Sequence, residues 1–135
     1  MFNLEPLAAT AAAEMANADA DAKAIENTIT KALMVLSEQG VYAFGLFLAT
    51  RKEKESRSAK GIHRAVASLL AETKLAEAGK HDMRTEEYPG YYKELTESRR
   101  GEDTVHALQR LLLTKQLLET ALTYGRYHAK SRPTT

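Results

Sequence analysis

The run Val41-Tyr42-Ala43-Phe44-Gly45-Leu46-Phe47-Leu48-Ala49 constrains the fold of this chain more than any other stretch. None of its side chains is charged, and only Tyr42 carries a strong hydrogen-bonding group. A bilayer crossing needs about 20 apolar residues, so the run is too short to span a membrane. Period alone does not separate a buried strand from a buried helix in so short a run. Its flanks favour helix. Lys31-Ala32-Leu33-Met34-Val35-Leu36 before it reads as helical, and Arg51-Lys52-Glu53-Lys54-Glu55 after it is helix-forming, with cations where a helix C-terminus favours them. A helix apolar on all sides belongs in the middle of a domain with others around it.

The remainder of the chain suits that picture. At 135 residues it is one domain, able to bury roughly two-thirds of the surface its unfolded chain exposes. Alternating β-branched runs are absent, and 7 Gly and 3 Pro leave few interruptions. The expectation is an all-α bundle of five or six helices, with a long N-terminal helix and a buried central helix. No cysteine is present, which removes disulfides and thiolate metal sites and fits a cytoplasmic chain. Met1-Phe2-Asn3-Leu4-Glu5-Pro6 has no basic segment and does not read as a signal peptide.

In order along the chain, Asn3 offers an N-cap and Pro6 a first-turn residue. Leu4, Leu7, Ala11, Met15, Ala18, Ala22, Ile25, Ile29, Leu33 and Leu36 recur every three or four positions, predicting one amphipathic helix over residues 1–40. Its weakest point is Asn17-Ala18-Asp19-Ala20-Asp21, where a break is open. The central helix is predicted over 41–55, and Ser56 to Ser58 read as linker and N-cap. Ile62, Val66, Leu69, Leu70 and Thr73 predict a helix over 59–78, ended by Gly79. Residues 79–102 read as a polar loop with a turn at Pro89-Gly90 and a short helix near Tyr91, Tyr92 and Leu95. A closing helix is predicted over 103–130, with Asp103 at its start and a face built from Val105, Leu108, Leu112, Leu118, Ala121, Leu122, Tyr124 and His128. The tail from Ser131 to Thr135 reads as frayed.

Net charge is only +1, but it is segregated: −4 over residues 1–50, +4 over 51–64, −3 over 65–109 and +4 over 110–135. The two basic segments form a basic face if the fold brings them together. Arg51, Lys52, Lys54, Arg57, Lys60 and Arg64 could then follow a phosphate backbone, extended by Arg126, Lys130 and Arg132, with Tyr124 and Tyr127 available to stack bases. Against this, both clusters fall at predicted helix C-termini, where cations are ordinary.

Catalytic patterns are poor. His81-Asp82 is a dipeptide of metal-dependent phosphohydrolases, yet it sits in a polar loop with no second ligand set. Glu102-Asp103-Thr104-Val105-His106 is one imperfect copy of a motif that a di-iron bundle needs twice, with two further Glu. Asp103 reads as an N-cap, His106 as a surface residue and His63 as part of a basic face. No Ser, Lys or Cys sits where it would be activated, and no glycine-rich phosphate loop is present. The chain reads as a non-enzyme without cofactor or metal.

Residues 33–52, with Gln39-Gly40-Val41 at a helix-to-helix step and Leu46-Phe47-Leu48 in the apolar helix closed by Arg51-Lys52, resemble the small α-helical subunit of the Cmr-type (type III-B) CRISPR effector complex. Residues 114–130 resemble that family's closing helix, with Tyr124 at a Trp position, Arg126 at a basic one and His128 at a Phe position. Ile62 to Thr73 fits the intervening helix loosely. The resemblance implies a non-catalytic role in antiviral defence. Copies of the chain would stack beside a guide RNA–target RNA duplex, held by the other subunits, with RNA read by shape and phosphate. Matched positions supply Arg51, Lys52 and Arg126 as backbone contacts; charge and helix geometry add Lys54, Arg57, Lys60, Arg64, Arg110 and Lys130. Two other readings stand beside it: a helical protein–protein adaptor whose Arg and Lys clusters are merely solvated, and a metal-dependent helical hydrolase using His63, His81, Asp82 and His106.

Overall fold

A computed structural model describes residues 4–133. The Asn3 cap and the last two threonines lie outside the described residues. Six α-helices form an all-α bundle: α1 (Glu5–Ala16), α2 (Ala22–Gln39), α3 (Val41–Ala49), α4 (Lys54–Glu72), α5 (Tyr88–Leu95) and α6 (Thr104–Ser131). A single 3-10 turn, Thr85–Glu87, leads into α5. No strand occurs among the described residues, and no helix among them is long and apolar enough to cross a membrane.

The predicted long helix over 1–40 is two helices, broken at the Asn-Ala-Asp-Ala-Asp stretch. Asn17 Nδ2 turns back to the carbonyl of Ala13 at 2.9 Å, competing with the helix ladder. Asp19 accepts from the Asp21 amide, and Asp21 then caps α2 by accepting from the amides of Lys23 and Ala24. The turn is fastened from outside. Ser58 donates its hydroxyl to Asp19 at 2.9 Å, and the Arg132 guanidinium donates to the carbonyls of Ala16, Asp19 and Ala20. A guanidinium thus completes the end of α1, whose last carbonyls lack intrahelical partners. Arg132 is therefore a structural clamp and no part of a basic patch.

Gly40 divides α2 from α3 with φ +99°, a region closed to most L-residues. The central helix is shorter and more one-sided than predicted. It ends at Ala49, and its buried residues are Val41, Phe44, Gly45 and Leu48, whereas Tyr42 and Leu46 are exposed. Gly45 lets α5 come close: a Cβ there would lie 2.5 Å from Tyr92. The basic run does not finish the central helix. Residues 50–53 form a turn, Glu53 adopts φ +54°, and Lys54 opens α4. Ser56 to Ser58 lie inside that helix rather than in a linker. It ends at Glu72, short of Gly79, where the amides of Leu75 and Ala76 both donate to the Leu70 carbonyl. Pro89 and Gly90 are in the first turn of α5, where the missing N–H of proline costs nothing.

One core runs through the bundle, with Met15, Ile25, Ile29, Leu36, Phe44, Leu48, Ile62, Leu70, Leu118 and Leu122 fully buried. Against α4 it becomes aromatic. The His63 ring stacks on Tyr88 at 4.1 Å between centroids and meets Tyr91 and Tyr92 edge-on. His63 is buried, contrary to the surface position read from the sequence. Nδ1 lies 2.8 Å from the Tyr92 hydroxyl and Nε2 3.0 Å from the Lys80 carbonyl, so the ring ties the 73–87 connection to the core. Burial lowers its pKa.

Candidate nucleic-acid interface

The amphipathic pattern of α4 sorts its residues cleanly. Ser58, Ala59, Ile62, His63, Ala65, Val66, Leu69 and Leu70 face the core. Lys54, Arg57, Lys60 and Arg64, spaced by three, three and four residues, fall on the opposite, exposed face. At 1.5 Å per residue they form a strip about 15 Å long. Lys54, Arg57 and Lys60 make no ion pair among the described residues, whereas Arg64 pairs with Asp82.

Two open hollows meet at this strip. One, of about 510 Å³, lies between α1 and α4 and is lined by Glu14, Ala18, Arg57, Lys60 and Arg64. The other, of about 380 Å³, is shared by Lys60 and Arg64 with the connection that carries His81, Asp82 and Arg84. Neither takes a residue from α6.

Helix polarity gives the strip its significance. Cations stabilise a helix C-terminus and destabilise an N-terminus by about 0.3–1 kcal/mol each at the surface. Lys54 opens α4 and Arg57, Lys60 and Arg64 follow over its first three turns, so none of them complements a helix C-terminus, and the terminus itself disfavours chiefly Lys54. No side chain caps this terminus. The amide dipoles and the cations add to one positive region, an arrangement suited to phosphate. Glu55 is the first-turn acid, and it is engaged. Lys31 donates to it at 2.8 Å and Arg51 at 3.2 Å, and these cations, Lys31 foremost, lower its pKa.

Other predicted contacts are distributed differently. Arg51 is held over the Phe47 ring at 4.1 Å, bonds the Phe47 carbonyl through Nε and pairs with Glu55, so it joins α3 to α4 rather than facing a ligand. Lys52 is exposed in the turn before α4. Arg110 is the clearest correction. Its side chain is only 9% exposed, it forks onto Glu102 at 3.0 Å, and it donates to the carbonyls of Leu95 and Glu97. The hydrogen bonds from Arg110 hold the Glu102 carboxyl at about 2. Arg126 is half-buried on α6, with its Nε enclosed and bonded to no described group, and Lys130 is exposed. Tyr124 donates to Glu5 at 2.9 Å, while Tyr127 is exposed. Of the 110–135 segment, Arg110 and Arg132 are therefore taken up by contacts within the fold and add nothing to the single basic face expected of the two segments. Arg84 at the second hollow escaped sequence reading because 20 residues separate it from Arg64.

The ligand set of the hydrolase reading does not assemble. Both His63 nitrogens are engaged in the core, His81 lies 3.3 Å from its own neighbour Asp82, and His106 bonds Asp103 at 2.9 Å on the surface. No cluster of three or more metal-ligating side chains forms among the described residues. Asp103 does cap α6, accepting from the His106 amide at 2.8 Å. A hollow of about 720 Å³ between the end of α4, α5 and α6 mixes Lys74, Lys80, Arg99 and the inward-turned Arg110 with Glu77, Glu94 and Glu97.

Comparison with family models, with curated proteins and with solved structures gives no match for this chain.

Proposed function

We propose that this protein is a non-catalytic small subunit of a type III-B-like CRISPR interference complex, lying beside the guide RNA–target RNA duplex and contacting its backbone. The observation that carries this is the Lys54, Arg57, Lys60 and Arg64 strip. It is exposed, begins at a helix N-terminus where the first cation is locally disfavoured, and opens to two hollows. Residues that oppose local stability mark functional positions. The strip recognises charge and spacing, with no base-reading pocket, as a subunit that follows any guide requires. The resemblance of residues 33–52 and 114–130 supplies the particular complex. Lys52 extends the strip at one end; Arg126 and Lys130 on α6 would meet RNA or a neighbouring subunit.

A helical adaptor is the second reading, favoured by the exposed Val105, Leu108 and Leu112 on α6. Tagged protein purified from its own cell under mild salt separates the two. Co-elution of a multisubunit complex with short, uniform CRISPR-derived RNAs supports the proposal. Recovery with an unrelated partner and no RNA overturns it in favour of the adaptor.

A further inference from the structure

Between Leu75 and Tyr88 no residue is buried, and only Ala76 and Met83 pack partly on the core. The connection from α4 to α5 therefore rests on the bundle through few contacts. Its start is tied to the end of α4 at the Leu70 carbonyl. Farther along, the Arg64–Asp82 pair is exposed on both sides, and such pairs contribute little. What reaches inward is the Lys80 carbonyl, 3.0 Å from Nε2 of His63, a residue with no exposed surface. α5 is fixed independently, since Tyr92 lies against Gly45 of α3 and Tyr88, Tyr91 and Leu95 are buried with it. A segment with so little buried surface is one that opens locally, leaving its neighbours in place.

The hydrogen bonds around His63 fix its proton. A carbonyl only accepts, so Nε2 carries the hydrogen and Nδ1 accepts from the Tyr92 hydroxyl at 2.8 Å. A second proton on Nδ1 turns that acceptor into a donor and leaves the buried Tyr92 hydroxyl hydrogen without an acceptor. It also places a charge where no anion answers it. The ring is faced by Tyr88, Tyr91 and Tyr92 from α5 and by Lys80 and His81 from the connection. Asp82 is taken by Arg64 and His81. On the other elements packed against α4, Glu14 of α1 lines the outer hollow with Arg57, and Lys31 of α2 pairs with Glu55. Asp19 in the α1–α2 turn bonds Ser58, and α3 carries no charged side chain. Water reaches the ring at least cost when Lys80 leaves. The open form thus takes the proton more readily than the closed one, and protonation favours opening.

We infer that the 76–87 connection is an acid-released strap: neutral His63 holds it closed through the Lys80 carbonyl, and protonation of His63 frees it while α5 stays docked. Release takes Asp82 away from Arg64 and removes one wall of the hollow that they share with Lys60. The inference does not depend on RNA binding.

Trypsin reads the strap directly, because the bond after Lys80 is the one whose carbonyl His63 holds. The full chain is digested briefly at pH 7.5 and 5.5, and the rate of cleavage after Lys80 is divided by that of a free peptide of residues 73–88 at the same pH. The ratio should rise on acidification by at most about tenfold, the limit for an imidazole of ordinary pKa 6.5 in the open form. Cleavage after Lys115 in α6, normalised to its own free peptide, should not rise. His63→Gln, folded as judged by circular dichroism, should abolish the rise after Lys80. The comparison of the two sites uses the native sequence, so it decides even if His63→Gln fails to fold. An unchanged ratio after Lys80, an equal rise after Lys115, or a rise that survives in folded His63→Gln overturns the inference.

Discussion

Arg110 and Arg57 are the same residue type in the same predicted role, and the fold treats them oppositely. Arg110 is almost enclosed, with Glu102 and two loop carbonyls around its guanidinium. Arg57 extends from α4 into an open hollow with no ion pair among the described residues. Arg132, clamped to the end of α1, belongs with Arg110; Lys60 belongs with Arg57. Cations that complete backbone carbonyls are part of the fold. Those left free on an exposed helix face complete no part of the fold, and that makes them informative about ligands.

The sharpest way to break the comparison is to remove one residue of each kind. Arg110→Ala should lower the melting temperature by roughly 5–10 °C, because Glu102 and the carbonyls of Leu95 and Glu97 lose their donor. Arg57→Ala should change stability by no more than about 0.5 kcal/mol, as exposed substitutions do. Equal losses in thermal denaturation would erase the distinction.

Binding should reverse that order. Arg57→Glu with Lys60→Glu should weaken RNA retention about tenfold at low salt, and each lost contact should flatten the dependence of log affinity on log salt by about 0.7–0.9. Filter binding across a salt series reads both, and an unchanged slope would remove the strip from the interface.

The division also runs through α4 itself, where His63 lies opposite the strip. Its folded pKa is lowered by burial from the ordinary 6.5. The unfolded chain therefore takes the proton first, and the stability contributed by neutral His63 is complete above about pH 6.5 and declines as acidification proceeds toward the lower folded value. Urea denaturation at pH 7.5 and 5.5 should show this loss, and His63→Gln should reduce it. A pH dependence that His63→Gln leaves intact would locate it elsewhere.

The smallest effect concerns Arg64, which pairs with Asp82 and would have to release it to meet a phosphate. Asp82→Asn should raise RNA affinity about twofold with stability nearly unchanged, since exposed pairs contribute little. Weaker binding by this variant would mean that Arg64 needs Asp82 to hold its position.

The helical class was legible because the three- and four-residue spacing persists across the chain, and Asp103 was legible as a cap because one local hydrogen bond decides it. The α1–α2 break was visible only as a weak point, since Arg132 and Ser58, distant in sequence, fasten it. His63 misled because Arg64 beside it faces water; adjacent helix positions diverge by about 100°. The α6 face misled because Val105, Leu108 and Leu112 run smoothly in sequence into Leu118 while the helix turns the second set inward. The exposure of Arg57 and Lys60 on one helix face follows from their three-residue spacing. Where the basic run sits was not legible: it reads as the end of α3, whereas it forms a turn and the start of α4.

The proposed role requires the exposed face of α4 to meet RNA in the assembled complex. The most direct measurement replaces Lys60 with a photo-cross-linking residue, and separately Gln109 on α6, in tagged protein purified from its own cell. RNA should be cross-linked at position 60 and little at position 109. RNA cross-linked at 109 and absent at 60 would contradict it.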